Sequence, residues 1–267
     1  MARLHADGIT LGYGSYTALD GVGLHINRGE LVALIGPNGA GKSTLLAVLA
    51  GDDAPSGGAV SLDDRQLKSF RPLELSRVRS VLTQSNDVSF SFTVGQVVEM
   101  GRAPWAEGGD TDLDAAVVTR ALRDAEVDHL RDRRMPELSG GERARVAYAR
   151  VRAQNCDVLL LDEPTASLDI RHQERLLSQV RAHTRDGGSA VVVLHDLNLA
   201  AAFADRVVLL DSGRVRADGP PSEVLTPALL SDVYRYPIRL IRGESGELTI
   251  VPDRRDTAAA LKENPYD

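Results

Sequence analysis

The sequence contains an octet, Gly36-Pro37-Asn38-Gly39-Ala40-Gly41-Lys42-Ser43, between an apolar run, Leu31–Gly36, and a helix-like segment, Lys42–Leu49. This octet matches the pattern G-x-x-x-x-G-K-[ST], at the junction of strand and helix where that pattern forms a phosphate-binding loop. Glycines let backbone N–H groups converge on phosphate oxygens, and the helix adds partial positive charge at its N-terminus. The octet therefore predicts a phosphate site, with Lys42 on the β- and γ-phosphates and Ser43 on Mg²⁺.

Two carboxylates follow a second apolar run, Val158–Leu161. A buried parallel strand would deliver Asp162 and Glu163 to the carboxyl edge of the sheet, where ligands bind in α/β folds. Asp162 is suited to bind Mg²⁺ directly or through an intervening ligand, and Glu163 is suited to act as the general base for an attacking water. Taken alone, the pair is more simply two exposed acids at a strand end. Opposite a phosphate loop, the catalytic interpretation is favoured.

Strand-like and helix-like segments alternate outward from these motifs. The further predicted strands are Leu4–Leu11, Val22–Ile26, Val60–Leu62, Val78–Thr83, Ala190–Leu194 and Val207–Leu210. The predicted helices are Val94–Met100, Asp112–Ala125, Gly141–Ala153, Arg171–Arg185 and Leu197–Ala204. This alternation predicts an α/β fold with a mainly parallel sheet covered on both faces.

Three further segments complete the organisation. Gly101–Thr111 carries Pro104 and paired glycines, which predicts a loop. After Pro220 we expect two short helical segments and a hairpin, whose strands are Ile238–Arg242 and Leu248–Val251 and whose turn is Glu244–Gly246. The polar segment Arg254–Asp267 predicts a flexible tail.

Composition narrows the classes of protein. The 267 residues carry a net charge of −7, which argues against non-specific nucleic-acid binding. Cys156 is the one cysteine, so an internal disulfide is excluded and a reducing compartment fits. The first ten residues lack the apolar run of a secretory signal, and no apolar stretch approaches the roughly 18 residues of a membrane span.

Leu138-Ser139-Gly140-Gly141-Glu142 resembles the signature motif of ABC ATPases, and it lies between the two motifs above. The other elements of that family follow in order. Tyr13 resembles the aromatic that stacks on adenine, Gln84 the Q-loop glutamine and His195 the switch histidine, while Ala166-Ser167-Leu168-Asp169 resembles the D-loop. Alone, Tyr13 would be a surface loop residue and His195 a strand-end residue. The resemblance covers about 4–219.

The resemblance implies a P-loop NTPase core of the ABC type, with an antiparallel β subdomain and an α-helical subdomain. It implies one domain over 1–253, with the core at about 1–84 and 154–219, the helical subdomain at about 85–153, an extension over 220–253 and a flexible tail over 254–267.

It also implies ATP and Mg²⁺ as ligands. The implied catalytic residues are Glu163, His195 and Gln84, and the implied Mg²⁺ ligands are Ser43, Gln84 and Asp162. The implied nucleotide-binding residues are Tyr13, Gly36, Pro37, Asn38, Gly39, Ala40, Gly41, Lys42, Ser43, Thr44 and Asp169, with Ser139, Gly140 and Gly141 acting on the ATP of a second subunit. Glu142 departs from the family's usual glutamine; we expect hydrolysis to survive with an altered rate.

The partners implied are a second copy of the chain (or, alternatively, a related ATPase), two copies of a transmembrane permease subunit and, indirectly, an extracytoplasmic substrate-binding protein. The implied location is the cytoplasmic face of the cell membrane, and no nucleic acid is implied. An ABC ATPase of translation or repair, an exporter and an inactive scaffold are the alternatives. The absence of a second cassette, of long insertions and of fused membrane spans disfavours the first two, and intact Lys42, Asp162, Glu163 and His195 disfavour the third.

The segment after Gln84 bears on the cargo. Ser89–Val94 and Val97–Trp105 resemble the ATPases that serve iron-siderophore, heme and cobalamin uptake. Val233–Pro252 is similar to the heme importers among them. The closest resemblance is to heme (hemin) importer ATPases. Heme is therefore the predicted cargo, with ferric siderophore second and cobalamin third. The plainer interpretation of Phe90, Phe92 and the nearby valines is core packing.

Overall fold

The central sheet has six strands, and the computed structural model that contains it describes residues 2–84, 92–106, 111–243 and 247–256. In spatial order the strands are β10 (Arg214–Gly219), β9 (Arg206–Asp211), β3 (Leu31–Ile35), β8 (Ser189–Val193), β7 (Val158–Asp162) and β6 (Arg79–Leu82). All neighbours pair parallel except β10, which runs antiparallel to β9. The predicted mainly parallel sheet is confirmed.

A second, antiparallel sheet holds the strands β2 (Tyr16–Asn27), β1 (Ala2–Tyr13), β4 (Gly57–Leu62) and β5 (Arg65–Gln66) in that order. A third is the hairpin of β11 (Ile238–Arg242) and β12 (Leu248–Pro252). Both strands of the predicted terminal hairpin are therefore confirmed, whereas its turn, 244–246, lies outside the described residues.

The α-helices are α1 (Lys42–Ala50), α2 (Pro72–Ser76), α3 (Val94–Glu99), α4 (Thr111–Asp124), α5 (Gly140–Ala153), α6 (Ile170–Arg185), α7 (Leu197–Phe203), α8 (Pro221–Val224) and α9 (Pro227–Tyr234). Short 3₁₀ helices cover Leu67–Ser69, Met100–Trp105, Asp128–Leu130, Met135–Glu137 and Arg254–Asp256. Among the residues that the structure describes, none of the helices is long and apolar enough to cross a membrane.

Apolar residues cover both faces of the central sheet, as β3 illustrates. Leu31, Ala33 and Ile35 belong to a core that includes α6 and α7 and continues into α3, α4 and α5. Val32 and Leu34 belong to a second core with α1 and the antiparallel sheet. All five side chains are buried, which is typical of a parallel strand covered on both sides. The carboxyl edge of the sheet is thereby left to carry polar side chains.

The prediction of a loop over Gly101–Thr111 is wrong for its first half. Met100–Trp105 forms a 3₁₀ helix that continues from α3. The Trp105 indole donates to the Gln154 carbonyl at 2.9 Å, and Arg102 donates to the Ala153 carbonyl at 2.9 Å. These bonds to the end of α5 are tertiary, so local Gly and Pro content could not reveal them. Residues 107–110 lie outside the described part.

Strand β10 was not predicted from the sequence. Ser212 and Gly213, both with positive φ, turn the chain from β9 into it, so that Arg214 pairs with Asp211. The alternation of polar residues with Val215 and Ala217 is the weak signal for this strand in the sequence. Of the proposed tail, 254–256 are helical and 257–267 lie outside the described residues, as do 89–91 of the segment compared above.

Candidate nucleotide site

Four neighbouring strands bring the predicted motifs to one edge of the central sheet. The phosphate loop follows β3, Asp162 ends β7, His195 follows β8 and Gln84 follows β6. A cavity of about 690 Å³ opens there, lined by Tyr13, Tyr16, Ala18, Asn38, Gly39, Gly41, Lys42, Ser43, Thr44, Gln84, Glu163 and His195. The motifs predicted that the acids would lie opposite the phosphate loop, because parallel strands place their carboxyl ends together. Gln84 and His195 were expected there only from the family resemblance.

The phosphate loop leads into α1 with an open helix end. Gly41 occupies the N-cap position with φ of 99°, and a Cβ there would lie 2.6 Å from the Ala18 carbonyl oxygen. Only glycine fits this conformation without strain. Within the described part of the chain, no side chain caps α1, and its first turn contains no acidic residue. The N–H groups of this helix end are therefore free for an anion.

Lys42 is the first residue of α1 and is only 6% exposed. Its ammonium donates to the carbonyl oxygens of Gly36 at 2.8 Å and Pro37 at 2.9 Å. Burial lowers the pKa of Lys42, and the charges of Glu163 and Asp162 oppose that shift. The loop thus holds a positive charge on its own backbone, within the cavity.

Glu163 joins the other two predicted catalytic residues. One carboxylate oxygen accepts from Gln84 Nε2 at 3.1 Å, and the other lies 2.6 Å from His195 Nε2. Glu163 has a left-handed backbone, with φ of 48°, and its side chain is 13% exposed. Non-glycine residues in that region carry strain of about 1–3 kcal/mol and cluster at functional sites. Glu163 is thus held between two polar side chains at the rim of the cavity.

Asp162 offers oxygen atoms suited to a cation. It is 7% exposed, and its Oδ1 is buried without a hydrogen-bond partner among the described residues. Burial raises the pKa of Asp162, while the Ser43 hydroxyl acts in the opposite direction. A buried carboxylate oxygen left unpaired beside a hydroxyl is costly unless a cation or water satisfies it. Carboxylate and hydroxyl oxygens also match the preference of Mg²⁺, so the residues present fit that ion.

Two tyrosines, not one, stand at the mouth of the cavity. Tyr13 is 54% exposed, and its hydroxyl donates to Asp53 at 2.9 Å, which raises the pKa of Tyr13. Tyr16 pairs with Tyr13 across the β1–β2 hairpin and donates to the Gly39 carbonyl at 3.1 Å. Sequence reasoning missed Tyr16. Its separation from Tyr13 by the two turn residues Gly14 and Ser15 was the available signal.

The signature residues and Asp169 are not among the residues that line this cavity. Gly140 lines a smaller one, of about 350 Å³, together with Gln84, Asp162 and Glu163. Asp169 caps α6, because its Oδ1 accepts from the His172 backbone N–H at 2.9 Å. A single chain thus lines one cavity with the phosphate loop, Gln84, Glu163 and His195, whereas Gly140 lines the smaller neighbouring cavity.

Ser139 and Glu142 form a capping box at the start of α5. Ser139 Oγ accepts from the Glu142 N–H at 3.3 Å, and Glu142 Oε2 accepts from the Ser139 N–H at 2.7 Å. The Ser139 hydroxyl also donates to the same carboxylate oxygen at 2.7 Å. The backbone N–H of Ser139, followed by its hydroxyl, lowers the pKa of Glu142. Glu142, which stands where the family usually has glutamine, thus has a structural role in capping α5.

The sheet, the phosphate loop and the paired acids define an ATPase cassette. The family profile described as ABC transporter matches residues 19–166. The chain belongs to the ABC transporter family, and it is an ATPase cassette of that family.

Among curated proteins, the chain is 50% identical to "Hemin import ATP-binding protein HmuV" of Rhodococcus jostii, over 95% of this chain and 87% of the relative. It is 44% identical to the protein of the same name from Rhodopseudomonas palustris, over 97% of this chain and 98% of the relative. Among solved structures, it is similar to a dimeric ATP-binding cassette in a post-hydrolysis state with ADP and Pi, at 28% identity and a TM-score of 0.75, over 82% of this chain and 98% of that one.

Proposed function

We propose that this chain is the ATP-hydrolysing subunit of an importer that moves heme across the cytoplasmic membrane through a permease. The observation that carries the ATPase part is the convergence of the phosphate loop with Gln84, Glu163 and His195 around one cavity. The similarity to hemin import ATP-binding proteins over nearly the whole chain supports heme as the cargo.

Nucleotide binding uses the open end of α1. The loop residues from Gly36 to Thr44, except Pro37, which has no N–H, present backbone N–H groups to the phosphates. Lys42 moves its ammonium from the loop carbonyls to the β- and γ-phosphates. Tyr13 stacks on the adenine, which contributes about 1–3 kcal/mol by analogy with aromatic stacking on single-stranded bases. Tyr16, equally exposed at the mouth, is a second candidate for that contact.

Hydrolysis uses the acids that end β7. Asp162 and Ser43 would hold Mg²⁺, with the Gln84 amide oxygen as a further ligand. Bound there, Mg²⁺ would neutralise charge on the phosphate oxygens. Glu163, once released from His195 and Gln84, orients and deprotonates the attacking water. The freed His195 ring donates a hydrogen bond to the γ-phosphate.

The position of the signature supports a head-to-tail homodimer. Ser139, Gly140 and Gly141 lie outside their own nucleotide cavity, so we place them on the γ-phosphate held by a second chain, with Asp169 nearby. Two ATP molecules would then join the chains, and hydrolysis would remove the shared ligand and reopen them. The cassette described as a dimer with ADP and Pi is consistent with this arrangement.

Transport requires membrane partners. We place the dimer on the cytoplasmic face of the membrane, on two permease subunits that receive cargo from an extracytoplasmic binding protein. The core, at about 1–84 and 154–219, would carry ATP, and the helical subdomain, at about 85–153, would pass the movement of Gln84 to the permease. The extension over 220–253 completes the single domain.

Replacing Glu163 tests the hydrolytic mechanism. Glu163→Gln should lower steady-state ATP turnover about 10²–10⁴-fold while ATP binding is retained, because a general base is lost and the phosphate loop is untouched. Glu174→Gln, an exposed position on α6, is the matched control. Turnover near wild type in Glu163→Gln would refute the assignment.

Growth of a host that lacks this gene tests the cargo. The host is supplied with heme or a ferric siderophore as its only iron source. Failure on heme alone, rescued by the wild-type gene and not by Glu163→Gln, supports heme import driven by hydrolysis. Failure on the siderophore alone overturns heme in favour of siderophore uptake. Normal growth on both contradicts each of these cargos.

A further inference from the structure

Two helices of the helical subdomain begin with the same capping arrangement but with different charge. In α3, Gln96 Oε1 accepts from the Thr93 N–H at 2.9 Å, and Thr93 Oγ accepts from the Gln96 N–H at 3.3 Å. In α5, Glu142 and Ser139 make the same reciprocal pair, at 2.7 and 3.3 Å. A neutral amide therefore completes the box in this fold, and capping alone does not require the charge of Glu142.

The carboxylate makes one contact beyond the capping box. The Ser139 hydroxyl donates to Glu142 Oε2 at 2.7 Å. A serine hydroxyl has one proton to donate, so Ser139 cannot at the same time donate to a phosphate oxygen. A hydrogen bond to an ionised acceptor is also roughly twice as strong as a neutral one. Glu142 therefore occupies the donor that the signature would offer to a second ligand.

The surroundings keep this carboxylate charged. The Ser139 hydrogen bonds and the positive charges of Arg133 and Arg145 lower the pKa of Glu142. Negative charge at a helix N-terminus is favoured by the helix dipole, which is the same attraction that draws phosphate there. Glu142 thus supplies from within the chain the kind of charge that a γ-phosphate would bring.

We propose that Glu142 is an internal competitor of the γ-phosphate for Ser139 and so raises the ATP concentration at which two chains close on each other. The inference rests on the proposed action of the signature on a second chain's ATP. Glu142 is a positioning residue in this scheme, since it acts through Ser139. Closure requires the carboxylate to release the hydroxyl, whereas glutamine at this position would release it more readily and without charge repulsion.

The test measures dimerisation of the full chain as Mg-ATP is raised, by sedimentation velocity, in a Glu163→Gln background that prevents hydrolysis. Adding Glu142→Gln should lower the half-saturating ATP concentration about five-fold per site, since a charge-assisted bond becomes a neutral one. The difference should shrink as salt rises from about 0.05 M to about 0.5 M, because salt screens an exposed charge. A purely structural role would not produce that salt dependence.

Two measurements show whether Glu142→Gln alters dimerisation indirectly, through nucleotide binding or through the stability of the fold. Nucleotide affinity of the single chain should be unchanged in Glu142→Gln. The thermal midpoint should fall only by the small stabilisation that the charge adds, because Gln96 shows that glutamine completes such a box. Gln96→Glu is the matched control. It places the same charge in the box of α3, which contains no signature residue, and should leave dimerisation unchanged.

The outcomes separate this inference from the function on which it rests. Unchanged or weaker dimerisation in Glu142→Gln, with Ser139→Ala impaired, overturns the competitor role and leaves the signature role standing. Dimerisation of Ser139→Ala at the ATP concentration of its parent overturns the signature role, and the inference falls with it. Absence of any ATP-dependent dimer in the parent has that same consequence.

Discussion

Helices α1 and α5 both have glycines at their N-termini, but the residues around those glycines differ in opposite ways. Helix α1 begins at Lys42, and its N-cap residue is Gly41; among the described residues, no side chain caps this end. Helix α5 begins after Ser139, which caps it together with Glu142. One end carries a positive side chain in its first turn and the other a negative one. The residues of one helical turn therefore decide whether a helix N-terminus is open to an anion or already occupied by a side chain of its own chain.

The two helix N-termini are suited to binding phosphate at different steps. The open end of α1 can take phosphate in a single chain, because its N–H groups and Lys42 all favour an anion. The occupied end of α5 must first lose its own carboxylate contact, which a phosphate presented by a partner would displace. ATP would therefore bind to the single chain before two chains close on each other, because only the N-terminus of α1 is open from the start.

The largest expected effect comes from removing the positive charge at α1. Lys42→Ala should weaken ATP binding by the single chain at least about 30-fold, since truncating one partner of a buried charged pair costs about 2–5 kcal/mol. Titration of the chain with a fluorescent ATP analogue measures it. Lys68→Ala, an exposed lysine outside the site, should bind as wild type. An affinity within three-fold of wild type for Lys42→Ala would contradict the account.

A smaller effect should follow when the open cap is given a side chain. Gly41→Ala should destabilise the fold by about 1–3 kcal/mol, because φ of 99° is strained for alanine and its Cβ would lie 2.6 Å from the Ala18 oxygen. Gly39→Ala meets nothing within 4 Å at φ of 77°, so it adds conformational strain alone. Urea unfolding of both variants should rank Gly41→Ala as the less stable; equal stabilities would refute the close contact.

Removing the cap of α5 should cost about 1 kcal/mol of unfolding free energy, the usual value for an N-cap serine. Ser139→Ala should match Thr93→Ala in that loss, as both remove the hydroxyl of a capping box. The single-chain affinity of Ser139→Ala for ATP should stay at the wild-type value. A clear loss of that affinity would mean that the signature acts on its own chain's nucleotide.

The smallest effect concerns pH. The pKa of Glu142 is lowered in the folded chain, so its carboxylate stabilises the fold above the pKa of the unfolded chain. That contribution is lost as pH falls through the lower folded pKa. Wild type should therefore lose more unfolding free energy than Glu142→Gln between pH 7 and pH 3. A difference between the two that does not change with pH would argue that the carboxylate is not held by Ser139.

Sequence alone predicted the parts of the site that local pattern determines. The phosphate loop, the acids after β7 and the sheet class followed from motif spacing and alternation. The contact of Glu163 with Gln84 and His195 needed the spatial order of β6, β7 and β8, which a sequence does not state. Their roles in catalysis remain predictions.

The misses share a physical cause. Met100–Trp105 is helical because Arg102 and Trp105 bond the end of α5, and β10 forms because β9 lies ready to pair with it. Tyr16 lies at the mouth of the cavity because the hairpin turn places it opposite Tyr13 and its hydroxyl donates to the Gly39 carbonyl. In each case a contact outside the segment itself decides its structure, and such context overrides local propensity.

The most direct test is a crystal structure of Glu163→Gln with ATP and Mg²⁺. The account predicts two chains arranged head to tail, with Ser139 Oγ within hydrogen-bonding distance of the γ-phosphate that the other chain's Lys42 holds, and with Glu142 turned away from Ser139. A closed dimer in which Ser139 still donates to Glu142, or a γ-phosphate contacted by one chain only, would contradict it.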